Sequence, residues 1–600
     1  MNKLKLFKIY MQGNTVYFLL SWISIILQVA FAAVLPLLTA FYLDYVIEGL
    51  PLDEIKRGRE FAVWLHGIFI IHGRYLILPI IAVLTAIQGL FLFFRGKMAA
   101  VACENSSRNL RNRLYDHILH QPYEFQANTQ TGDLIQRCTS DVETVQGFMN
   151  SHAVEAISIS VQVIVVLFIM LSINPLYTLL STMLIPVILL LTIRFFLSMM
   201  KIFLAADEAE GEMSTALQEN LSGVRVVKAF AAQQLEITKF TDKNAHYRDR
   251  VMDILRLMAG FWSSSDFLCM LQFAVVILAG AWGALNGYIT IGTLIAFSSY
   301  AGMLIWPVRG LGQMMGFMGQ AFVALGRIKE IFDYPIENAN DGIDELTIKG
   351  EIIFEDVSFG YEADNPVIDN ISLTIPAGKT TAVLGATGSG KSTLVHLLLR
   401  LYDYQSGSIK LDGVDLKTIS RRLLRQRIGL VLQEPYLFSR DLADNIRLGK
   451  AGAADNEVME AARMASVHES IRRFERGYKT IVGERGVTLS GGQRQRIAIA
   501  RTLLRKPSIL IFDDSLSAVD SSTDAAIRLA LKKCRGNITT LLISHRITTL
   551  AEADQILVMD RGRIVQSGRH EELIKEDGIY QKIWRIQSSS DSVSEVGDQK

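Results

Sequence analysis

Three short runs in the C-terminal half carry residue types suited to phosphate chemistry. GATGSGKS, at 385–392, combines glycines with a lysine and hydroxyls. Gly385, Gly388 and Gly390 let the backbone curl so that its N–H groups face a phosphate, and Lys391 supplies positive charge to the β- and γ-phosphates. Ser392 offers an oxygen to Mg2+, a cation that prefers oxygen ligands. Thr387, Ser389 and Thr393 complete the nucleotide-contacting stretch. A β-rich run, TTAVLG, leads into the loop and a helix is expected from about Lys391, which is the setting that makes such a loop a nucleotide site. The second run, LSGGQ at 489–493, places small residues and backbone N–H groups at the start of another helix. Ser490, Gly491, Gly492 and Gln493 therefore form a second phosphate-contacting surface. The third, ILIFDD at 509–514, reads as a buried strand ending in two carboxylates, Asp513 and Asp514.

The elements around these runs fall into two classes. From residue 350 onward, short β-rich runs alternate with helical ones, as in an α/β nucleotide-binding domain. Before it lie six apolar segments, at 16–42, 75–94, 154–173, 176–196, 267–285 and 291–315, each near the ~20 residues needed to cross a bilayer core. The expected fold is an α-helical six-helix transmembrane domain at 1–331, a polar linker with Pro335 at 332–349, an α/β phosphate-loop ATPase domain at 350–586, and a Ser-rich disordered tail at 587–600. Six hundred residues exceed one ordinary domain, and 50% hydrophobic content suits a chain partly embedded in lipid. A net charge of +1 gives no electrostatic case for a nucleic-acid partner. Cys103, Cys138, Cys269 and Cys534 lack metal-ligand spacing and read as free thiols.

Loop charge sets the orientation. The long stretches 95–152 and 197–266 carry Arg95, Lys97, Arg108, Arg111, Arg113 and Arg137, then Lys201, Arg225, Lys228, Lys239, Arg248, Arg250 and Arg256. By the positive-inside rule both face the cytosol, although Lys56, Arg57 and Arg59 in the first outer loop weaken the asymmetry. Six crossings then put both ends of the chain in the cytosol of a multi-pass protein, most simply in a bacterial cytoplasmic membrane. The basic start, MNKLKLFKIYM, reads as an elbow helix at the membrane surface rather than a cleavable signal.

With GATGSGKS, LSGGQ and ILIFDD in this order behind six apolar segments, the chain resembles the ATP-binding-cassette (ABC) exporters over nearly its whole length. The resemblance implies ATP and Mg2+ as ligands. It gives Asp513 the role of the Walker B aspartate, holding Mg2+ together with Ser392 and Gln433. Tyr361, in VSFGYEADNP, matches the aromatic that stacks on adenine, Gln433 the Q-loop sensor and His545 the switch histidine. Residues 517–520, SAVD, match the D-loop. The cytosolic stretches resemble the family's intracellular loops, whose coupling helices fall near 124–131 and 214–222. In the family each ATP lies between one domain's phosphate loop and the other domain's LSGGQ, so one ATPase domain and six helices make half a transporter, and a dimer is required.

The chain departs from the family at one position. The residue after the Walker B aspartate is Asp514 where the family has glutamate. A carboxylate displaced by about 1 Å costs roughly a hundredfold in rate. This implies a slow ATP site and, since LSGGQ is intact, a heterodimer whose different partner brings the glutamate. A homodimer in which two aspartates work, or an ATP-gated regulatory membrane protein, are the alternatives. For cargo, Phe297, Tyr300, Met303, Trp306, Met314 and Phe317 either line an adaptable apolar cavity or pack against neighbouring helices. Arg309, ionisable near the membrane, either attracts an anionic head group or plays a structural part. A hydrophobic drug-like compound, a lipid and a peptide all fit at this stage.

Overall fold

The computed structural model describes residue 7 and residues 10–597, apart from positions 52–62, 65, 70–72, 363–364, 484–485, 487–488 and 516–537. Lys56, Arg57, Arg59, the stretch 517–520 and Cys534 lie outside the described residues. Contacts divide the chain into two compact units, Met1–Leu119 with Thr129–Pro335, and His120–Asn128 with Ile336–Lys600.

Among the described residues, the first unit contains six helical spans long and apolar enough to cross a membrane: Thr15–Ile47, Ile77–Leu119, Thr131–Ile173, Pro175–Ser222, Gln233–Leu285 and Ile291–Gly310. Helices are the expected answer in lipid, because they satisfy every backbone polar group within one segment. Side chains such as Leu78, Phe93, Ile164, Phe168, Leu190 and Leu278 are exposed, the arrangement expected of residues facing hydrocarbon. The main helices described in the unit are α1 (Thr15–Phe41), α2 (Ile77–Leu119), α3 (Val154–Ile173), α4 (Ile185–Ser222), α5 (Gln233–Leu285) and α6 (Ile291–Asp333). α2, α4 and α5 run far past their apolar windows, since a helix once formed gains a hydrogen bond with each added residue whatever the surrounding solvent. Tight packing joins α1 to α6 at one end. Buried Asp44 accepts hydrogen bonds from Thr290 Oγ1 at 2.6 Å and from Gly292 N at 2.7 Å, satisfying groups at the start of α6.

At the turn after α4, the expected coupling segment 214–222 is the last part of α4 itself. The separate short helix is Val224–Ala229, set off by Gly223. The other expected coupling segment forms the short helix Tyr123–Asn128, which belongs with the second unit rather than the first.

Among the described residues, two sheets build the second unit. Strands β1 (Ile352–Phe359), β2 (Ile368–Ile375), β4 (Ser406–Leu411) and β5 (Val414–Asp415) pair antiparallel in the order β2-β1-β4-β5. β3 (Thr380–Gly385), β6 (Ile428–Val431), β7 (Ile509–Asp513), β8 (Thr539–Ile543), β9 (Gln555–Asp560) and β10 (Arg563–Gly568) form the larger sheet, in the order β10-β9-β3-β8-β7-β6. Its β3, β6, β7, β8 and β9 pair in parallel and are almost wholly buried, as parallel strands covered on both faces must be. The linker is pinned to this unit: the Arg425 guanidinium forks onto Glu337 at 2.6 and 2.8 Å, and Ile343 N donates to Thr418 O. A C-terminal helix, Ile579–Gly597, carries regular structure beyond residue 586 into the stretch expected to be disordered. No Pro interrupts it, so an already nucleated helix propagates through the serines.

Candidate active site

Parallel strand order brings the scattered motifs together. Along the neighbours β3, β8, β7 and β6, the chain leaves each carboxyl end carrying a different group: the glycine loop after β3, Ser544 and His545 after β8, Asp513 and Asp514 at the end of β7, and Gln433 after β6. Adjacent strands lie ~4.8 Å apart, so residues up to 160 positions apart in sequence share one crevice. Open α/β sheets bind ligands at this edge.

The loop is shaped for an anion. Gly388 and Gly390 have φ of 83° and 102°, a region that disfavours other residues. A Cβ on Gly390 would lie 2.9 Å from Ile368 Cδ1 and 3.0 Å from Val367 O, so glycine is needed there on space as well. Gly390 caps the helix Lys391–Leu398, whose first N–H groups open toward the loop. Lys391 Nζ curls onto the loop, donating to Gly385 O at 2.9 Å and Ala386 O at 2.7 Å. Burial pushes its pKa down, and burial pushes the Asp513 carboxyl up. Ser392 Oγ lies 3.5 Å from Asp513 Oδ2. A desolvated ammonium folded onto a glycine loop at a helix start suits a polyphosphate. A hydroxyl beside a desolvated carboxylate suits a hard divalent cation with oxygen ligands.

Asp514 sits differently from its neighbour. Its φ is 46°, in the left-handed region that aspartate tolerates better than most residues. This turn folds its carboxylate inward. Oδ2 lies 3.0 Å from His545 Nδ1 and accepts from Gln433 Nε2 at 3.4 Å, while Oδ1 accepts from Ser544 Oγ at 3.4 Å. The crevice thus joins Gln433, Asp514 and His545, three of the residues singled out from the sequence. Ser544 was not among them; its place directly before His545 at the strand end was the available signal.

Tyr361 is fixed beside the loop. Its hydroxyl lies 3.1 Å from both Thr393 Oγ1 and His396 Nδ1. Its ring meets those of Phe359 and Tyr402 edge-on, with centroids 5.1 Å away in each case. The ring remains partly exposed, with area available for stacking on a base. His396 and Tyr402, which the sequence did not flag, also carry the ring of Tyr123 at 5.5 and 5.8 Å.

Ser490 and Gln493 form a capping box at the start of the helix Gly491–Leu503. Ser490 Oγ accepts from Gln493 N at 3.2 Å, and Gln493 Oε1 accepts from Ser490 N at 2.9 Å. Leu489 is buried beneath them, while Ser490 and Gly491 are exposed. Among the described residues, no hydrogen bond links Ser490–Gln493 to the phosphate loop.

In the membrane unit, Phe297 and Tyr300 are fully buried among neighbouring helices, and Tyr300 Oη donates to Ala33 O at 2.6 Å. They pack rather than line a cavity. Trp306 and Phe317 are exposed. Arg309 is buried, paired with Asp266, with its guanidinium 4.1 Å above the Trp262 ring.

Comparison with known proteins agrees with this architecture. Residues 17–308 match the model for the ABC transporter transmembrane region, and residues 368–517 the model described as ABC transporter. YknU of Bacillus subtilis (strain 168), an uncharacterized ABC transporter ATP-binding protein, is 32% identical over 98% of both chains. YgaD of the same organism, provisionally named a multidrug export ATP-binding/permease protein, is 33% identical over 92% of this chain and 94% of its own. A solved bacterial Atm1-family ABC exporter with ATP bound superposes with a TM-score of 0.79 at 25% identity, covering 96% of this chain and 98% of that one.

Proposed function

Because this chain belongs to the ABC transporter family, with a multi-pass membrane region fused to an ATP-binding region that couples ATP hydrolysis to transport, we propose that it is one half of a heterodimeric exporter with one slow ATP site. Its cargo would be hydrophobic or amphiphilic, by analogy with relatives named for multidrug export. The domain limits proposed are 1–331, 332–349 and 350–586.

The roles we propose at the site are those the family resemblance implies, and the chemistry of its residues supports them. Gly385, Thr387, Gly388, Ser389, Gly390, Lys391, Ser392 and Thr393 would hold the phosphates of ATP, and Tyr361 would stack on the adenine. Ser392, Asp513 and Gln433 would hold Mg2+. When bound, Mg2+ neutralises charge developing on the phosphate oxygens. Asp514 would orient the attacking water and His545 the γ-phosphate. Ser490, Gly491, Gly492 and Gln493 would close over ATP held by the partner. Closure of the two ATPase domains then shifts the membrane helices outward, and hydrolysis with release of phosphate resets them. The short helices Tyr123–Asn128 and Val224–Ala229 are the candidate levers.

The observation that carries the slow-site reading is Asp514. Its carboxylate is one methylene shorter than glutamate and is tied back to His545, Gln433 and Ser544. Affinity purification of the tagged chain from its native membrane tests the heterodimer. A second, different ABC half-transporter bearing glutamate after its Walker B aspartate is expected in equal amount. A complex containing two copies of this chain, hydrolysing ATP equally at both sites, would refute the proposal.

A further inference from the structure

A cavity of about 640 Å³ opens in the membrane unit between α2 and the segment leading into α3. Its size suits a drug-sized ligand. Sequence explains the void. On one wall Gly96, Ala99 and Ala100 withhold side-chain volume, and on the other the backbone widens into a π-helical turn, Phe148–Ala153. Such turns concentrate at functional sites.

The charged groups facing the cavity are arranged in one sense. Arg95 is internal, with its side chain 12% exposed, and its guanidinium donates to Gln28, Ser158 and Glu155. Glu155 is 50% exposed and uses only Oε2 on Arg95, so among the described residues Oε1 takes no protein hydrogen bond. The guanidinium is shielded and the carboxylate is open. His152, also lining the cavity, lies flat against Phe317, with ring centroids 3.9 Å apart and planes at 9°, which adds an aromatic wall.

The same arrangement recurs across the unit. Arg309 is 8% exposed, covered by Trp262 and Trp306 and paired with Asp266, whose side chain is 51% exposed. Arg95 lies 18 residues along its helix from Ile77, and Arg309 lies 18 along its own from Ile291. Each is therefore about 27 Å from that end of its helix, close to the far edge of a ~30 Å hydrocarbon core. At this depth both arginines are buried and paired inside the unit, and both carboxylates are half exposed. Arg309 is therefore not positioned to attract an anionic head group.

We propose that the cavity between α2 and α3 binds an amphiphile with a cationic head, which pairs with Glu155 while its apolar body lies along Leu92, Ala99, Ala100 and the ring of His152. The inference rests on the exporter reading and names the substrate class. The open Oε1 of Glu155, whose Arg95 counter-charge is turned inward, favours a cation and repels an anion.

The test uses the full-length chain, with any subunit it assembles with, in phosphatidylcholine nanodiscs. Tetraphenylphosphonium and tetraphenylborate, nearly identical in shape and opposite in charge, are the probes, with binding corrected for protein-free nanodiscs. The wild type is expected to bind the cation about tenfold more tightly than the anion. Glu155→Gln uncovers the Arg95 charge and is expected to reverse the preference. The double variant Arg95→Gln/Glu155→Gln, neutral and able to keep its hydrogen bonds, is expected to erase it. Charge-blind binding by the wild type, binding of neither ion, or a preference that survives Glu155→Gln but disappears in Asp266→Asn would overturn the assignment. ATP hydrolysis by the wild-type complex is measured alongside. Its absence would count against the exporter reading, whereas hydrolysis accompanied by charge-blind binding would refute the cation site alone.

Discussion

Replacing Asp514 with glutamate probes the chemistry most directly. In the wild type the carboxylate is tethered, among the described residues, with Oδ2 3.0 Å from His545 Nδ1 and 3.4 Å from Gln433 Nε2, and Oδ1 3.4 Å from Ser544 Oγ. Asp514→Glu adds one methylene and moves the carboxylate outward by roughly 1 Å, the scale of misplacement that costs about a hundredfold in rate. Recovering that factor corresponds to about 2.7 kcal/mol of barrier. An opposing effect comes from the backbone. At φ 46° glutamate is less at ease than aspartate, and the substitution is expected to cost about 1 kcal/mol of domain stability. The two effects fall on different observables. Single-turnover release of phosphate from ATP bound at this chain's own site, with the partner's phosphate-loop lysine replaced so that only one site reacts, should accelerate by ten- to a hundredfold, while the melting temperature falls slightly. If the rate is unchanged and the fold intact, carboxylate reach is not what limits this site, and the reasoning from Asp514 is wrong.

Further outcomes follow from the same geometry. Lys391→Ala removes a charge-assisted contact worth ~1.5–3 kcal/mol, and nucleotide affinity measured by fluorescent-ATP titration should fall about tenfold to a hundredfold; unchanged affinity would contradict the loop's assignment. Tyr361→Phe keeps the ring but loses the hydroxyl contacts to Thr393 and His396, whereas Tyr361→Ala loses both. ATP affinity in the same titration should change less than threefold for the first and by about tenfold for the second. Gly292→Ala would drive a Cβ to 2.4 Å from Ala40 O and 2.6 Å from the Asp44 carboxylate. Overpacking there should lower stability by ~1–3 kcal/mol, read as an earlier melt in detergent with nucleotide binding retained.

Much of this molecule was legible in its sequence because the signals are local. A phosphate loop is a contiguous turn whose glycine φ values and following helix are set within ten residues. A spanning helix declares itself by ~20 apolar residues, because lipid can satisfy no backbone group. LSGGQ likewise sits wholly at one helix start, where Ser490 and Gln493 cap each other. Tertiary structure decided what local pattern could not. The crevice exists because β3, β8, β7 and β6 lie side by side, an order that depends on long-range pairing and brings Gln433, Asp514 and His545 into contact. The inward turn of Asp514, the π-turn at Phe148–Ala153 and the exposure of Glu155 beside a shielded Arg95 are equally invisible in the chain. Residue type states which charges a protein owns. Only packing determines which of them are spent internally and which are left facing a ligand.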